Sequence, residues 1–480
     1  MMKKYILLTL IFPYCLTGGS QTYEHYYRTQ YDDIVYDALK INNEEVVFAL
    51  NYGEYPNNYS SLIIKMDMNI GNFVDSVILL NDTGFIYQGV SKIFLTDTNL
   101  LTIVGTCKNI VTNDKQIFIA NYTDNFDLIM DTIVGDPNLD EIFFDVIFSS
   151  DSLLVFSGMR EYGTVLLEER TINGILVKSK NYTGLGTLSS TIVEIPQNNN
   201  YHLYGYWDNN HSFYVINKND LSVKTSIEYN GWFLPRNAYR KQNANYYYVF
   251  GRKLSIEPVE QDNLFYLKLS NSGEILQEIE ISNDSITYYT QNCFGLNENS
   301  IYFGGAYPCT WTAPLEFYPE QRWVFLNKLD LDGNIIWQKY YKGNVNFMPY
   351  KVLATNDGGA IIFSSFYDWN DPIPNQRDVH ILKIDSLGYY TPLTGTPEKF
   401  EQMEKQILVY PNPVTSKVNF VFGLYNNLKI DIFDMKGEKV FSKTFVHSAK
   451  IDIAHFKPGI YPYVISGENG FHEEGKMIKK

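Results

Sequence analysis

Cysteine is scarce in this chain, and that scarcity limits the disulfide chemistry open to it. Only 4 cysteines occur in 480 residues. Cys15 lies in an N-terminal apolar run that we expect to be removed, so Cys107, Cys293 and Cys309 remain. An odd number argues against a disulfide framework in an exported protein. Cys293 and Cys309 flank one predicted strand, so a single bond between them and two buried thiols both stay open. No Cys-x-x-Cys pair is present, which argues against a thiolate zinc site.

Positive charge is also in short supply. The chain has 39 Lys and Arg against 54 Asp and Glu, a formal net charge of −15. Proteins that bind nucleic acid or anionic membranes are normally basic, so we expect neither partner. The hydrophobic fraction of 45% is large enough to bury a substantial core, which excludes wholesale disorder.

Catalytic motifs are missing as well. The seven histidines are scattered and none forms His-Glu-x-x-His. No Gly-x-Ser-x-Gly elbow and no phosphate-binding Gly-x-x-x-x-Gly-Lys-Ser/Thr loop occurs. The acidic run from Asp330 to Asn334 is similar to a calcium loop, but Tyr341 stands where an EF-hand needs Glu, and similar residues form the turn of every repeat unit. We therefore predict no catalytic residue, no metal and no cofactor.

The first 20 residues have the pattern of a leader. Met1 to Lys4 are basic, Tyr5 to Leu16 are apolar, and the small residues Gly18 and Ser20 follow. This order is typical of a secretory signal peptide, and the apolar run is too short to anchor the chain in a bilayer. An N-terminal core strand is the alternative. We predict that residues 1–20 are removed and that a soluble chain is exported.

A repeated unit fills most of the remaining chain. It contains a strand-like run, an Asn/Asp-rich turn and a second run that usually ends in Gly. The unit recurs about every 50 residues, and this period is typical of propeller blades. The second run ends at Gly53, Gly105, Gly158, Gly205, Gly251, Gly304 and Ser364.

A second series of hairpins recurs with the same spacing, one after each hairpin of the first series. Its turns lie at Gly71, Asn125, Gly174, Asp220, Gly273, Gly333 and Gly388. Two hairpins per unit make four strands, so the sequence predicts an all-β chain with a seven-bladed β-propeller over residues 21–392. A tandem of β-sandwiches is the alternative. Pro392 is poor in a paired strand, and residues 24–28 resemble the outer strand of the sixth unit, so we predict that the N-terminus completes the last blade.

The last 74 residues form a separate block. Residues 393–406 have the composition of a linker. Residues 407–480 contain ten lysines against seven acidic residues, a net charge of +3. Short alternating runs separated by Gly, Asn and Pro predict a small C-terminal β-sandwich, immunoglobulin-like in form.

This block carries a recognisable set of motifs. They are Tyr410-Pro411-Asn412-Pro413, Asp434 with Gly437, Pro458-Gly459-Ile460-Tyr461, and a basic end with Lys476, Lys479 and Lys480. In this order the block resembles the type A C-terminal sorting domain of the type IX secretion system of Bacteroidota. The resemblance implies that the secretion machinery is a partner and that the protein is secreted or attached to the outer-membrane surface. The repeat units, residues 329–337 above all, are similar to divergent repeats of such cargo proteins.

The best sequence clue to function is a set of expanded loops. The connection after the second strand is long in units six (306–322), seven (366–377) and one (51–59). Equivalent connections of a propeller emerge on one face, so these loops are predicted to lie side by side. Aromatic rings with polar neighbours suit sugars or peptides. The predicted surface comprises Tyr52, Tyr55, Trp311, Phe317, Tyr318, Tyr367 and Trp369, together with Arg322, Asp368, Asp371 and Arg377.

Three functional hypotheses follow. The first is a non-enzymatic exported protein whose propeller binds a glycan or a protein. The second is an extracellular glycosidase or lyase that uses carboxylates at the propeller mouth, for which Asp208, Glu316, Glu320, Asp368 and Asp371 are the available loop acids. The third is a purely structural role at the cell surface. For the loops, packing onto the barrel mouth is the alternative to ligand binding.

Overall fold

The computed structural model describes residues 22–27, 32–54, 58–79, 85–96, 98–109, 111–112, 114–136, 141–160, 164–183, 188–207, 210–229, 232–241, 244–255, 261–281, 293–308, 321–371, 376–390, 408–410, 412–421, 427–446, 448–467 and 472–480. These residues form 35 strands and one short 3-10 turn, Pro196–Asn198. The predicted all-β fold is confirmed. Among the described residues no helix is long and apolar enough to cross a membrane.

The strands before residue 391 make seven four-stranded antiparallel sheets within the described residues. A lone strand comes first, β1 (Tyr23–Tyr27). The first sheet is β2 (Asp32–Lys40), β3 (Glu45–Glu54), β4 (Asn58–Asp67) and β5 (Phe73–Leu79). The second is β6 (Phe85–Leu95), β7 (Leu101–Asn109), β8 (Lys115–Tyr122) and β9 (Leu128–Val134). The third is β10 (Glu141–Phe148), β11 (Leu153–Arg160), β12 (Thr164–Thr171) and β13 (Leu176–Thr183).

The next sheets follow the same order. The fourth is β14 (Leu188–Ile195), β15 (Asn200–Trp207), β16 (Asn210–Asn217) and β17 (Val223–Tyr229). The fifth is β18 (Trp232–Tyr239), β19 (Tyr246–Ser255), β20 (Gln261–Ser270) and β21 (Ile275–Ile281). The sixth is β22 (Phe294–Leu296), β23 (Ile301–Tyr307), β24 (Trp323–Leu329) and β25 (Ile335–Tyr341). The seventh holds β26 (Asn346–Ala354), β27 (Ala360–Tyr367) and β28 (Asp378–Ile384).

The seventh sheet takes its outer strand from the N-terminus. Its order is β1-β28-β27-β26, with Tyr23 opposite Lys383 and Tyr27 opposite Val379. Tyr23 and Tyr27 are buried. The Glu24 carboxylate lies 3.0 Å from His380 Nε2. Burial would raise the pKa of Glu24, but its interactions with His380, Tyr26 and His25 together outweigh burial, and the pKa lies below its ordinary value. The predicted closure by the N-terminus is therefore present in the sheet order.

Neighbouring sheets pack face to face around a ring. Inner strands β2, β6, β10 and β14 contact one another in succession, β14 contacts β18, and β26 contacts both β22 and β2. The fifth and sixth sheets share one apolar cluster, in which the rings of Phe250 and Phe294 stack with centroids 4.4 Å apart. Because each sheet buries its faces against its neighbours, the array is stable only as a whole. This is the β-propeller that the repeat predicts.

Polar contacts also cross the seams near the central axis. Bulges in the inner strands directly precede Asp37, Lys92, Asp145 and Lys351 and re-aim these side chains. Lys351 Nζ lies 2.7 Å from Asp37 Oδ1, and Lys92 Nζ lies 3.1 Å from Asp145 Oδ1. Burial would lower the pKa of Lys92, but the carboxylates of Asp145 and Asp37 raise it above its ordinary value. These pairs link the seventh sheet to the first and the second to the third.

A further polar contact repeats between the third strand of one sheet and the outer turn of the next. Asn121 Nδ2 donates to the Ile172 carbonyl at 2.9 Å, and Lys268 Nζ donates to the Leu331 carbonyl at 3.3 Å. Lys328 Nζ donates to the Ser386 carbonyl at 3.0 Å. The second turn residue supplies the acceptor each time. In these three sheets, the polar residue two positions before the turn therefore ties the sheet to the next one.

At some turns glycine is required by packing against the neighbouring sheet as well as by turn geometry. Gly333 has φ +83°, and an added Cβ would lie 2.3 Å from both Ile279 Cδ1 and Tyr266 Oη of the preceding sheet. Gly358 has a similar φ of +78°, but its added Cβ would meet only Ser386 Cβ, at 3.3 Å. Replacing either glycine therefore strains the backbone to a similar degree, but only at Gly333 would the added Cβ clash with atoms of a neighbouring sheet.

We expect Gly333→Ala to destabilise the propeller more than Gly358→Ala does. Both variants carry the left-handed backbone cost of about 1 kcal/mol. Gly333→Ala adds an overpacking cost of about 1–3 kcal/mol because the seam between the fifth and sixth sheets must open. Chemical denaturation of both variants measures the difference, and equal losses would show that the turn does not press on the neighbouring sheet.

The tail forms two small sheets. One is β29 (Leu408–Tyr410), β30 (Lys417–Val421) and β33 (Ser448–Asp452). The other has the order β32-β31-β34-β35, from β31 (Asn427–Phe433), β32 (Lys439–Val446), β34 (Gly459–Gly467) and β35 (His472–Lys479). Both sheets contribute to one apolar core that includes Phe420, Ile430 and Tyr463. The predicted C-terminal sheet domain is present; the predicted linker, 393–406, lies outside the described residues.

Candidate functional site

The two ends of the propeller sheets differ in character. In the first six sheets, the first and third connections lie at one end, which we call the turn face; in the seventh sheet, the first connection and the turn after β28 lie at the same end. The second connection, together with the passage to the next sheet, lies at the other end, which we call the loop face. The sixth, seventh and first sheets are neighbours in the ring. Their second connections therefore emerge side by side on the loop face, as the topology of an antiparallel repeat requires.

A buried ion pair joins the seventh sheet to the first at this face. Arg377 Nε lies 2.7 Å from Asp32 Oδ1, and its Nη2 contacts Asp32 Oδ2. The Arg377 backbone N–H also donates to Asp32 Oδ1 at 2.9 Å, and its carbonyl accepts from the Asp33 N–H at 2.8 Å. Arg377 and Asp32 are only 2% and 3% exposed. This side chain, predicted to face a ligand, fixes the end of its loop.

Arg322 is equally withdrawn from the surface. It is 0% exposed, and its Nη1 lies 3.8 Å from Met348 Sδ. Its backbone pairs with Asn346, since the Phe347 N–H donates to the Arg322 carbonyl at 3.0 Å. The residue therefore ties the returning end of the sixth-unit loop to β26. In both units an arginine stands where the long loop rejoins the sheet.

The start of the seventh-unit loop is also fixed. Asp368 Oδ1 accepts from the Asn370 N–H at 2.9 Å, and the Asp368 carbonyl accepts from the Asp371 N–H at 3.1 Å. Tyr367 is buried at 9% exposure, whereas Asp368, Trp369 and Asp371 are half-buried. The turn thus holds an indole and two carboxylates at the loop face. These are the predicted site residues that the structure brings together.

Several predicted site residues lie outside the described part of the chain. They are Tyr55, Trp311, Phe317 and Tyr318, and the side chain of Tyr52, whose backbone belongs to β3. The loop acids Asp208, Glu316 and Glu320 and the thiol Cys309 are likewise outside it. Cys107 is a free, buried thiol, and burial raises its pKa to about 12, so it is inert at neutral pH.

The structure adds aromatic residues that the sequence analysis did not select. Tyr307 and Trp323 face each other across β23 and β24, with ring centroids 6.2 Å apart. Tyr340 lies 5.0 Å from Tyr307, and Lys342 Nζ sits 4.4 Å from the Trp323 ring centroid. All three rings are half-buried at the loop-face end of the sixth sheet. Tyr307 begins the predicted 306–322 loop, but Trp323 and Tyr340 lie inside strands and gave no loop signal, so the register is needed to reveal the cluster.

Acidic residues converge at one place among the described residues of the third sheet. Arg160 Nη2 lies 2.5 Å from Glu141 Oε1 and 3.2 Å from Glu168 Oε1. Both carboxylates are buried, and burial raises the pKa of Glu141 above its ordinary value despite the arginine. Arg170 Nη2 also contacts Glu168, at 2.7 Å. Alternating charges of this kind hold strands together, and the described residues contain no cluster fit to hold a metal ion.

The sorting motifs of the tail have a structural role. Asn412 Nδ2 donates to the Lys476 carbonyl at 3.0 Å, and its Oδ1 accepts from the Ile478 N–H at 2.8 Å. Tyr461 is buried, and its hydroxyl donates to the Lys457 carbonyl at 2.9 Å. The other described motif residues lie in the strands, turns and terminal segment around these contacts; they are Pro413, Gly437, Gly459, Lys476 and Lys480. Lys479 is buried. Pro411 and the Tyr410 side chain are outside the described residues.

Comparison with known families identifies the tail. Residues 408–480 match a family model described as a secretion system C-terminal sorting domain. This match agrees with the resemblance drawn from the motifs and indicates export to the cell surface or secretion through the type IX machinery. No curated protein matches the chain.

Solved structures similar to the chain include propellers. The Dos1 propeller is 10% identical, with a TM-score of 0.43, and the match covers 78% of this chain and 96% of that one. The β-propeller domain of the Trilobed protease from Pyrococcus furiosus is 11% identical, with a TM-score of 0.40 and coverage of 71% and 100%. A protein of unknown function from Bacteroides caccae is 13% identical, with a TM-score of 0.39 and coverage of 62% and 94%.

Proposed function

We propose that this protein is an exported, non-enzymatic binding protein whose propeller takes a glycan or a protein ligand on the loop face, where the sixth, seventh and first sheets meet. The C-terminal domain directs its secretion. One observation carries the proposal. The loop that presents Trp369 and Asp371 is held at one end by the Asp368 turn and at the other by the Asp32–Arg377 pair.

Anchoring at both ends favours binding because it lowers the ordering cost on association. An indole flanked by carboxylates can stack on a sugar ring while the oxygens accept hydrogen bonds from hydroxyls. The half-buried rings of Tyr307, Trp323 and Tyr340 extend the aromatic character of the same face. The described acids of the loop, Asp368 and Asp371, serve as hydrogen-bond acceptors in this account, and no covalent step is assigned to them.

We expect Trp369→Ala to weaken binding about tenfold or more, because a stacked ring contributes roughly 1.5 kcal/mol or more. The mature protein is screened on a glycan array and against candidate proteins, and the variant is measured against the best ligand. Tyr389→Ala is the matched control, since Tyr389 is 63% exposed and lies on the turn face. It should leave affinity unchanged.

Two outcomes would contradict the proposal. One is the absence of any saturable ligand for the folded propeller. The other is turnover of a bound polysaccharide that disappears in Asp368→Asn, which would establish the glycosidase or lyase instead.

A further inference from the structure

A cavity lies at the opposite end of the propeller from the loop face. On the turn face, the seam between the first and second sheets opens into a cavity of about 280 Å³. Apolar side chains from both sheets form half of its lining, with Ile41 and Val47 on one side and Leu95, Leu101 and Phe126 on the other; the rest of the lining is polar or charged. Its volume lies near the lower end of the range for small-ligand pockets, about 300 Å³.

Lys65 places a buried ammonium beside this cavity. The residue is 7% exposed and lines the cavity. Its ammonium donates to the Asp124 backbone carbonyl and lies 5.4 Å from the Phe126 ring centroid. Among the described residues, no carboxylate lies within ion-pair distance of it, whereas the ammonium of the buried Lys383 contacts Asp357 at 2.8 Å. A buried ammonium without a counter-ion favours an anionic ligand group.

The lining also carries negative charge. Glu45 and Asp124 are the two acidic residues that line the cavity. The Glu45 carboxylate is held by Asn42, whose Nδ2 donates to Glu45 Oε2 at 2.9 Å. A ligand that satisfies this site therefore combines an anionic group, a cationic group and an apolar body.

We propose that this cavity binds an apolar α-amino acid. The carboxylate of the ligand pairs with Lys65, its ammonium with Glu45 or Asp124, and its side chain lies against Leu95, Leu101 and Phe126. The site is independent of the loop face, so the proposed function can fail while this inference stands, and the reverse also holds.

The test is calorimetry and thermal shift of the mature full chain with L-leucine, 4-methylpentanoate and L-leucinamide. Leucine should bind with a Kd below about 1 mM and raise the melting temperature. 4-Methylpentanoate is leucine without the ammonium and leucinamide lacks the carboxylate, so each should bind about tenfold more weakly or worse.

Lys65→Gln removes the positive charge at the cavity while preserving the contact between sheets, so it tests the role of the charge without disturbing the fold. At the equivalent position of the next sheet, the neutral Asn121 amide already donates to the Ile172 carbonyl, so a glutamine can keep the contact between sheets. Lys268→Gln, at the equivalent position of the fifth sheet, is the matched control. We expect Lys65→Gln to weaken leucine binding about tenfold or more while Lys268→Gln leaves it unchanged.

Three results would overturn the inference. They are no saturable binding of leucine to the wild-type protein, equal binding to Lys65→Gln, and binding of 4-methylpentanoate as tight as that of leucine.

Discussion

Removing the N-terminal strand is expected to cost the propeller more than about 5 kcal/mol of its free energy of unfolding, enough to unfold many domains of ordinary stability. The loss has three sources. Two tyrosines, Tyr23 and Tyr27, are 4% and 6% exposed and leave the core. The Glu24–His380 contact disappears. The outer edge of β28 loses its partner strand along its whole length.

The measurement compares denaturation of the mature chain beginning at residue 21 with that of a chain beginning at residue 29. A synthetic peptide spanning residues 22–28 is the control, because a strand that acts by completing the seventh sheet should restore stability when added in trans. Tyr27→Ala should show an intermediate loss of about 3 kcal/mol. Unchanged stability of the shortened chain would show that the ring closes without this strand.

Breaking the Asp32–Arg377 pair should have the next largest effect. Asp32→Asn or Arg377→Met leaves a buried charge without its partner, which costs about 3–5 kcal/mol. The double variant should lose less than the sum of the two single losses, because the charge that remains in each single variant is then absent. Ligand binding at the loop face should fall as well, since this pair fixes the loop that carries Trp369 and Asp371.

A surface pair in the same propeller supplies the control. Lys253 Nζ lies 3.2 Å from Glu278 Oε1, but the two side chains are 32% and 47% exposed. Glu278→Gln should therefore cost less than about 1 kcal/mol. If Asp32→Asn costs no more than this control, the buried pair does not anchor the loop.

Much of the fold could be predicted because it repeats. The spacing of the hairpins gave the four-stranded units, and Pro392 together with residues 24–28 pointed to the N-terminal closing strand now seen opposite Val379 to Lys383. The sequence predicted a turn at Gly333, and the positive φ of this residue agrees with that prediction. Its contact with Tyr266 and Ile279 could not be foreseen, since it depends on how two sheets pack.

The candidate site was harder to predict because its contacts span the chain. Arg377 was expected at a ligand surface, but its partner Asp32 is 345 residues away and is recognised only in three dimensions. Trp323 and Tyr340 lie within strands and gave no loop signal. Lys65 was not selected from the sequence, because its position is equivalent to those of Lys268 and Lys328 and only the cavity beside it distinguishes it from them.

Hydrogen exchange of the mature protein with and without its glycan or protein ligand tests the central claim most directly. The account predicts slower exchange at residues 32–33, 367–371 and 376–378 on the loop face, with no change at the turns 41–45 and 330–334. Protection confined to those turns or to the outer strands would contradict it and would place the ligand on another surface.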